Sequence, residues 1–363
     1  MKENDKRQPF TLKRKWPALI GIAAIPLILI TLFAWSSGWI NIGRITSKQI
    51  YDDFNNVISP FPSGYRRAHG KGICFTGVFR SNPEATQLSK ARVFTQKDIS
   101  VIGRFSVGAG NPHVADGTAR VTSMAFLIKT DDGQEWRSAM NSVPYFHVAT
   151  AEGFYAGLQA NHPDPKTGKP DPKKLDEFHS KYPESVKFEK WAATAPWPDS
   201  YSGASFNSVN SFRFISESGK ETYVRWVMRP RTPMHEMTEK QRKEADPNFL
   251  DEDLIGRLKS GPVYWDMVAT IAEPGDAVND SSQPWPSNRK QMVIGTIEVT
   301  SASKQSTGEC RDINYDPTIV PAGIEISNDP ILRARSGAYS HSFNARLHEI
   351  GTGKASKEIN GKK

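Results

Sequence analysis

The sequence predicts an α+β chain: an eight-stranded antiparallel β-barrel with helices around it, preceded by one N-terminal transmembrane helix. Three observations predict this. An uncharged, strongly apolar stretch lies near the N-terminus. Eight later segments either alternate in strand fashion or form short apolar runs. Helical patterns interrupt those strands without forming a second cluster of their own.

Taken in order, residues 1–15 form a basic tail expected on the cytoplasmic side, ending in Lys13-Arg14-Lys15. Residues 16–40 follow as the membrane span, and no charged residue occurs from Trp16 to Gly43. Trp16, Trp35 and Trp39 sit where interfacial tryptophans belong, and Pro26 is tolerable inside a span. A cleaved signal peptide is the alternative, because Ala34-Trp35-Ser36 is a passable small-x-small site. Either way the body, residues 45–350, is expected outside the cytoplasm. In a bacterial cell that is the periplasm, with the span in the inner membrane. Residues 45–58 repeat Ile45, Ile50, Tyr51, Phe54, Val57 and Ile58 at helical spacing, which predicts a linking helix.

Strands are predicted at 72–79, 100–107, 119–129, 135–140, 206–216, 221–228, 263–272 and 291–300. Two hairpin signals support them, Thr130-Asp131-Asp132-Gly133 and Ser216-Glu217-Ser218-Gly219-Lys220. Antiparallel pairing of eight strands suggests a closed barrel whose mouth or outer face can hold a ligand. Helices are predicted at 152–160, 171–181, 184–194, 238–245 and 250–259. Residues 351–363 are polar and basic, and are expected to be disordered.

Composition excludes some functions. Of 363 residues, 37% are hydrophobic and 24% charged, which is ordinary for a globular protein. The net charge of +8 is concentrated in the two tails, where residues 1–15 and 351–363 hold nearly all of it. A near-neutral body does not present the basic face that tracks phosphates, so nucleic acid is not an expected partner. Two cysteines, Cys74 and Cys310, either form one bridge or remain separate buried thiols. His235-Glu236 begins like a zinc-protease motif, but Glu239 stands where the second histidine is needed. Gly108-Ala109-Gly110 lacks the third glycine and the helix of a dinucleotide site.

Two segments are denser in chemistry. The first is Tyr65-Arg66-Arg67-Ala68-His69-Gly70-Lys71-Gly72, at the mouth of an apolar strand. The second is Arg333-Ala334-Arg335-Ser336-Gly337-Ala338-Tyr339, continuing to Arg346. If the second is helical, Arg335 and Tyr339 meet on one face, and the guanidinium favours the phenolate. Each segment alone also has a plain structural reading, as a solvated turn and as a surface Arg–Tyr stack.

Together the two segments resemble the catalase family. Arg66-Arg67-Ala68-His69-Gly70-Lys71-Gly72 is similar to its distal R-x-x-H-A-K-G, and Arg335…Tyr339…Arg346 to its proximal R-x-x-x-Y with a downstream arginine. Gly103-Arg104-Phe105-Ser106 matches V-R-F-S, and Asn141-Ser142-Val143-Pro144-Tyr145-Phe146 resembles N-N-T-P-x-F. Tyr182-Pro183-Glu184-Ser185, Tyr315-Asp316-Pro317 and Pro321-Ala322-Gly323-Ile324-Glu325 match in order. The likeness covers residues 50–348, and is narrowest to the short, exported catalase-related peroxidases.

The resemblance implies a catalase-like fold and haem b, with Tyr339 as the iron's axial ligand. Arg335 would keep Tyr339 ionised, and a phenolate donates charge to ferric iron. Arg66, Arg104 and Arg346 would pair with the haem propionates, and Phe146 and Phe154 would pack on the ring. His69 would act as distal acid–base, with Ser106 bonded to its other ring nitrogen. At the family's pocket asparagine stands Ser142, with Asn141 one place earlier and expected on the opposite face of the strand. Weak dioxygen release follows as an expectation. Ala68 and Gly70 are expected to widen the distal side for larger substrates. The implied function is a haem peroxidase reducing hydrogen peroxide or organic hydroperoxides with a small organic reductant. The alternatives are a membrane-tethered haem sensor or carrier and a lipid-hydroperoxide isomerase. A monomer or homodimer is expected.

Overall fold

In the computed structural model the described residues are 12–37, 40, 45–58, 60–355 and 359. The chain divides into two units, Met1–Thr46 and Ser47–Lys363. In the first, helix α1 (Leu12–Ser36) forms over most of the expected span. Most of its described apolar side chains are exposed, Ile22 at 70% and Leu29 at 61%, while Ala34 is buried. Among the described residues no helix is long and apolar enough to cross a membrane, so the span itself stays an expectation. Residues 1–11 of the expected cytoplasmic tail lie outside the described residues.

The second unit begins with α2 (Ser47–Val57) and then builds its sheet from β1 (Gly72–Ser81), β2 (Ile99–Val107), β3 (Thr122–Lys129) and β4 (Glu135–Asn141). It continues through β5 (Phe206–Asn207), β6 (Phe212–Ile215), β7 (Glu221–Pro230), β8 (Val263–Ile271), β9 (Gln291–Lys304) and β10 (Ile324–Ile326). The hydrogen-bonded order is β10-β6-β7-β5-β4-β3-β2-β1-β9-β8, and β8 pairs back onto β7. That last pairing closes the barrel, with β6 and β10 laid on as an extra layer of strand. Both expected hairpins form. Gly133 at φ 83° and Gly219 at φ 80° take the left-handed turn positions that a side chain resists.

The expected strand at 206–216 is split. Val209 sits at φ 54°, and Ser208 Oγ accepts from the Trp226 backbone N–H at 3.1 Å. The interruption frees Asn210 from the ladder, and its side chain turns toward the last helix. The helices are α3 (Ala151–Ala160), α4 (Pro172–Lys181), α5 (Val186–Thr194), α6 (Glu239–Glu244), α7 (Phe249–Leu258) and α8 (Pro330–Gly351). Helix α8 starts where Asp329 accepts from the Ile331 N–H at 2.9 Å and Pro330 fixes the first turn.

Strand alternation sorts the side chains. Ile73, Phe105, Met124 and Met140 face one another across β1–β4 inside the barrel. There they join Trp136, Phe126, Phe206 and Trp265 in a core closed to solvent. Gly103 is required on this face, because a Cβ there would lie 2.0 Å from the Phe75 ring. Cys74, Arg104, Ala125 and Ala139 form the opposite, outward row. Cys74 is disulfide-bonded to Cys310, 236 residues on, with Cα atoms 5.3 Å apart. Of the two readings of the cysteines, the bridge is the one that forms. In the C-terminal tail Ala355 and Ile359 are buried against Tyr65, so the expected disorder does not hold at these two positions. Residues 356–358 and 360–363 lie outside the described residues.

Candidate active site

The outward face of β1–β4 forms one wall of a cavity whose free volume, counted to its open mouth, is about 1570 Å³. Helix α8 supplies the opposite wall, with Arg335, Tyr339 and Arg346, and Tyr51 and Phe54 of α2 also line it. All the site residues expected from sequence line it except Ser142.

On α8 the helical spacing works as expected. Arg335 donates from its guanidinium to the Tyr339 hydroxyl at 3.3 Å. It is held there by Asn210 Oδ1 at 2.6 Å and the Ala139 carbonyl at 2.7 Å. Asn210 in turn donates to Asp329 at 2.8 Å, so the break between β5 and β6 serves to brace Arg335. A braced guanidinium is a fixed positive charge on the phenol oxygen.

Arg104 and Arg346 are 3% and 2% exposed, and Arg66 is half-buried beside them. Among the described residues none of the three has a carboxylate partner. Arg66 donates to the carbonyls of Cys310 at 3.0 Å and Ile313 at 2.9 Å. Arg104 donates to the His69 carbonyl at 2.7 Å and to Gln305 at 2.8 Å, and Arg346 to the Arg311 carbonyl. Among the described residues the Arg346 Nε has no hydrogen-bond partner. Burial, and then mutual repulsion, pull Arg104 down to about 9 and Arg346 to about 8. Three clustered cations without an anion are costly to bury, and two carboxylates arriving together would relieve them. The residues therefore fit haem: the arginines would pair with its propionates, Tyr339 would ligate its iron, and Phe146 and Phe154 would pack on its ring.

The distal side differs from expectation in its supporting residues. His69 has φ 56°, a strained position for a non-glycine residue, held by Arg104 on its carbonyl and by Gly70 N–H on the Ala109 carbonyl at 2.9 Å. Gly70 does not widen the cavity. A Cβ there would lie 2.3 Å from the Gly110 carbonyl oxygen, so the glycine is consumed by a backbone crossing. Ser106 lines the cavity but does not bond His69. Ser123, which sequence reasoning missed, does so instead, with Oγ 3.1 Å from Nδ1. Register explains the exchange. Ser106, Ser123 and Asn141 stand side by side in one outward row of β2, β3 and β4. Any of the three could have faced the ring, and the pattern of one strand does not say which.

The same row corrects the asparagine. Asn141 faces the cavity, and Ser142 turns away to accept the Thr122 N–H at 3.1 Å. Ser123 Oγ donates to Asn141 Oδ1 at 2.7 Å. A serine hydroxyl has one proton, so with it committed to Asn141 the oxygen accepts from His69. The network thereby assigns the ring proton to Nδ1, which makes Nε2 the acceptor nitrogen of the neutral ring. Burial, and then Arg104, Arg335 and Arg66, push His69 down to about 3 against a backbone hydrogen bond to Val107, so the imidazole is neutral at physiological pH. Among the described residues no cluster of His, Cys, Asp and Glu could hold a metal ion, and the phenol is not that kind of site.

Comparison with known proteins agrees with this geometry. The family model described as Catalase matches residues 64–360. A "Catalase-related peroxidase" of Synechococcus elongatus is 38% identical over 287 residues, covering 79% of this chain and 85% of that protein. Another "Catalase-related peroxidase", from Mycolicibacterium paratuberculosis, is 30% identical over 305 residues, covering 84% and 96%. A solved "Structure of a bacterial catalase" superposes with TM-score 0.70 at 22% identity, over 82% of this chain and 60% of that one.

Proposed function

The chain belongs to the catalase family, and from that premise we propose that it is a haem-dependent peroxidase. It reduces hydrogen peroxide or organic hydroperoxides with an organic electron donor. The observation that carries this reading is one cavity with a phenol–guanidinium pair on one wall, a neutral histidine on the other, and three clustered arginines, two of them buried, that have no carboxylate partner among the described residues. Relatives named catalase-related peroxidases support the peroxidase half of it. A bound haem would supply the redox centre that takes two oxidising equivalents from peroxide.

The chain's own residues do the rest. Tyr339 would be the residue that ligates the iron, with Arg335 hydrogen-bonded to its oxygen. Arg66, Arg104 and Arg346 would pair with the propionates. His69 Nε2 takes the proton from one peroxide oxygen and returns it to the other, so the O–O bond breaks with a neutral leaving group. Ser123 and Asn141 hold the ring in the tautomer that this transfer needs. A passive haem carrier has no use for that relay. The shortfall in dioxygen release expected from Ser142 loses its basis, because Asn141 occupies the cavity face.

The test is an absorption spectrum of the haem-loaded protein, followed by peroxide-dependent oxidation of an organic donor and an oxygen-electrode assay. A tyrosinate-type ferric spectrum with donor oxidation is the expected result. A protein that takes up no haem overturns the reading. We also propose that α1 anchors the chain in the inner membrane with the barrel in the periplasm. The uncharged stretch at 16–43 behind Lys13-Arg14-Lys15 supports this. Recovery of the full chain in the soluble fraction would overturn it.

A further inference from the structure

The cavity contains a second histidine that the peroxide chemistry leaves unused. His147 follows β4 and lines the cavity with Tyr145, Phe154 and Phe188. Its ring centroid lies 4.8 Å from that of Phe146, 5.6 Å from Phe154 and 6.2 Å from Phe188. Among the described residues neither ring nitrogen has a hydrogen bond. No charged group acts on the ring, and burial alone lowers it to about 4. At neutral pH it is therefore an uncharged imidazole with one bare acceptor nitrogen, set among aromatic rings. The cavity lining includes five arginines and no aspartate or glutamate among the described residues.

We infer that His147 and the rings beside it form the docking subsite for the reductant, and that the reductant is a phenol. This rests on the peroxidase reading above. A cationic donor would find arginines and no carboxylate. An anionic donor would be drawn to the arginines instead. A phenol suits both features of the subsite: its ring packs against Phe188, the neighbouring ring not given to the haem, and its O–H donates to the imidazole nitrogen. Each phenol gives up one electron to the oxidising equivalents left by peroxide reduction and one proton to His147, which passes it to solvent. Two phenols and one hydrogen peroxide give two phenoxyl radicals and two waters. Two phenolic O–H bonds and the O–O bond break, and two new O–H bonds form on the peroxide oxygens.

The experiment compares two donors in the haem-loaded full chain. Phenol carries both the ring and the proton, and ferrocyanide carries neither. In His147→Phe, kcat/KM for phenol is expected to fall about tenfold, the loss of about one hydrogen bond. Ferrocyanide oxidation and the rate of reaction with hydrogen peroxide are expected to be unchanged. His147→Gln restores an acceptor and is expected to recover part of the loss. Calorimetric titration of phenol into the resting protein reads docking without turnover, and His147→Phe is expected to weaken it severalfold. An equal loss for both donors would assign His147 to the peroxide step or to packing, and overturn the inference. So would an unchanged phenol Kd. A wild-type protein that binds phenol through His147 but oxidises neither donor would instead overturn the peroxidase reading and leave the subsite standing.

Discussion

The two walls of the cavity are built by different local rules. On α8 the spacing of Arg335, Tyr339 and Arg346 is fixed by one continuous helix, so three positions in sequence become three positions in space. On the barrel face His69, Ser106, Ser123 and Asn141 come from a turn and three strands, and only the register between strands brings them together. The helical wall carries its geometry within itself. The sheet wall borrows its geometry from pairings that span the chain.

This contrast can be broken at either wall, and the largest effect is expected on the helix. Tyr339→Phe removes the oxygen proposed to ligate the iron, and the purified protein is expected to lose its ferric tyrosinate spectrum and most of its haem content. Full haem retention with an unchanged spectrum would dissolve the distinction between the walls. Next comes His69→Gln, which is expected to retain haem while peroxide reactivity falls by about 10²–10⁴, the usual worth of a general acid–base group. Stopped-flow mixing with hydrogen peroxide checks it.

The pair Ser123→Ala and Ser106→Ala tests register directly. Ser123→Ala is expected to slow the peroxide step about five- to tenfold, about one hydrogen bond, and Ser106→Ala to have little effect. The reverse order would restore the family-based assignment to Ser106. The smallest effect concerns pH. His69 and His147 are held below the ordinary imidazole value of 6.5, to about 3 and about 4. The unfolded chain therefore binds protons that the folded chain does not, and stability falls as pH drops from 6.5 toward those values. Above 6.5 these groups add no slope. Thermal unfolding of His69→Gln between pH 4 and 7 is expected to show a shallower pH dependence than the wild type.

The contrast also explains what the sequence made legible. Most strands and the helices from α2 to α7 are visible in their periodicity, down to the hairpins at Gly133 and Gly219, whereas α8 shows only in the Arg335–Tyr339 spacing. The Arg335–Tyr339 pair is visible because i, i+4 contacts are a property of any helix. The short strand Ile324–Ile326 is not, since three residues carry no period. Ser123 is missed because an outward serine on a strand has no sequence mark that separates it from Ser106. Asn141 and Ser142 are exchanged for a similar reason. Alternation says that they face opposite ways, but not which way each one faces. Gly70 looks like extra space in sequence and is in fact a crossing point for the 110 backbone.

The Thr130–Gly133 hairpin has a consequence for how such a site changes over time. Since β4 follows that turn and ends at Asn141, the length of the segment between them works as a counter. Deleting one residue there while keeping the β3 pairing would rotate Asn141 away and present Ser142 to the cavity, with no substitution at either position. A single-codon deletion some distance from the chemistry could thus rewrite the distal side, which makes hairpin length as heritable a determinant of this site as the residues that line it.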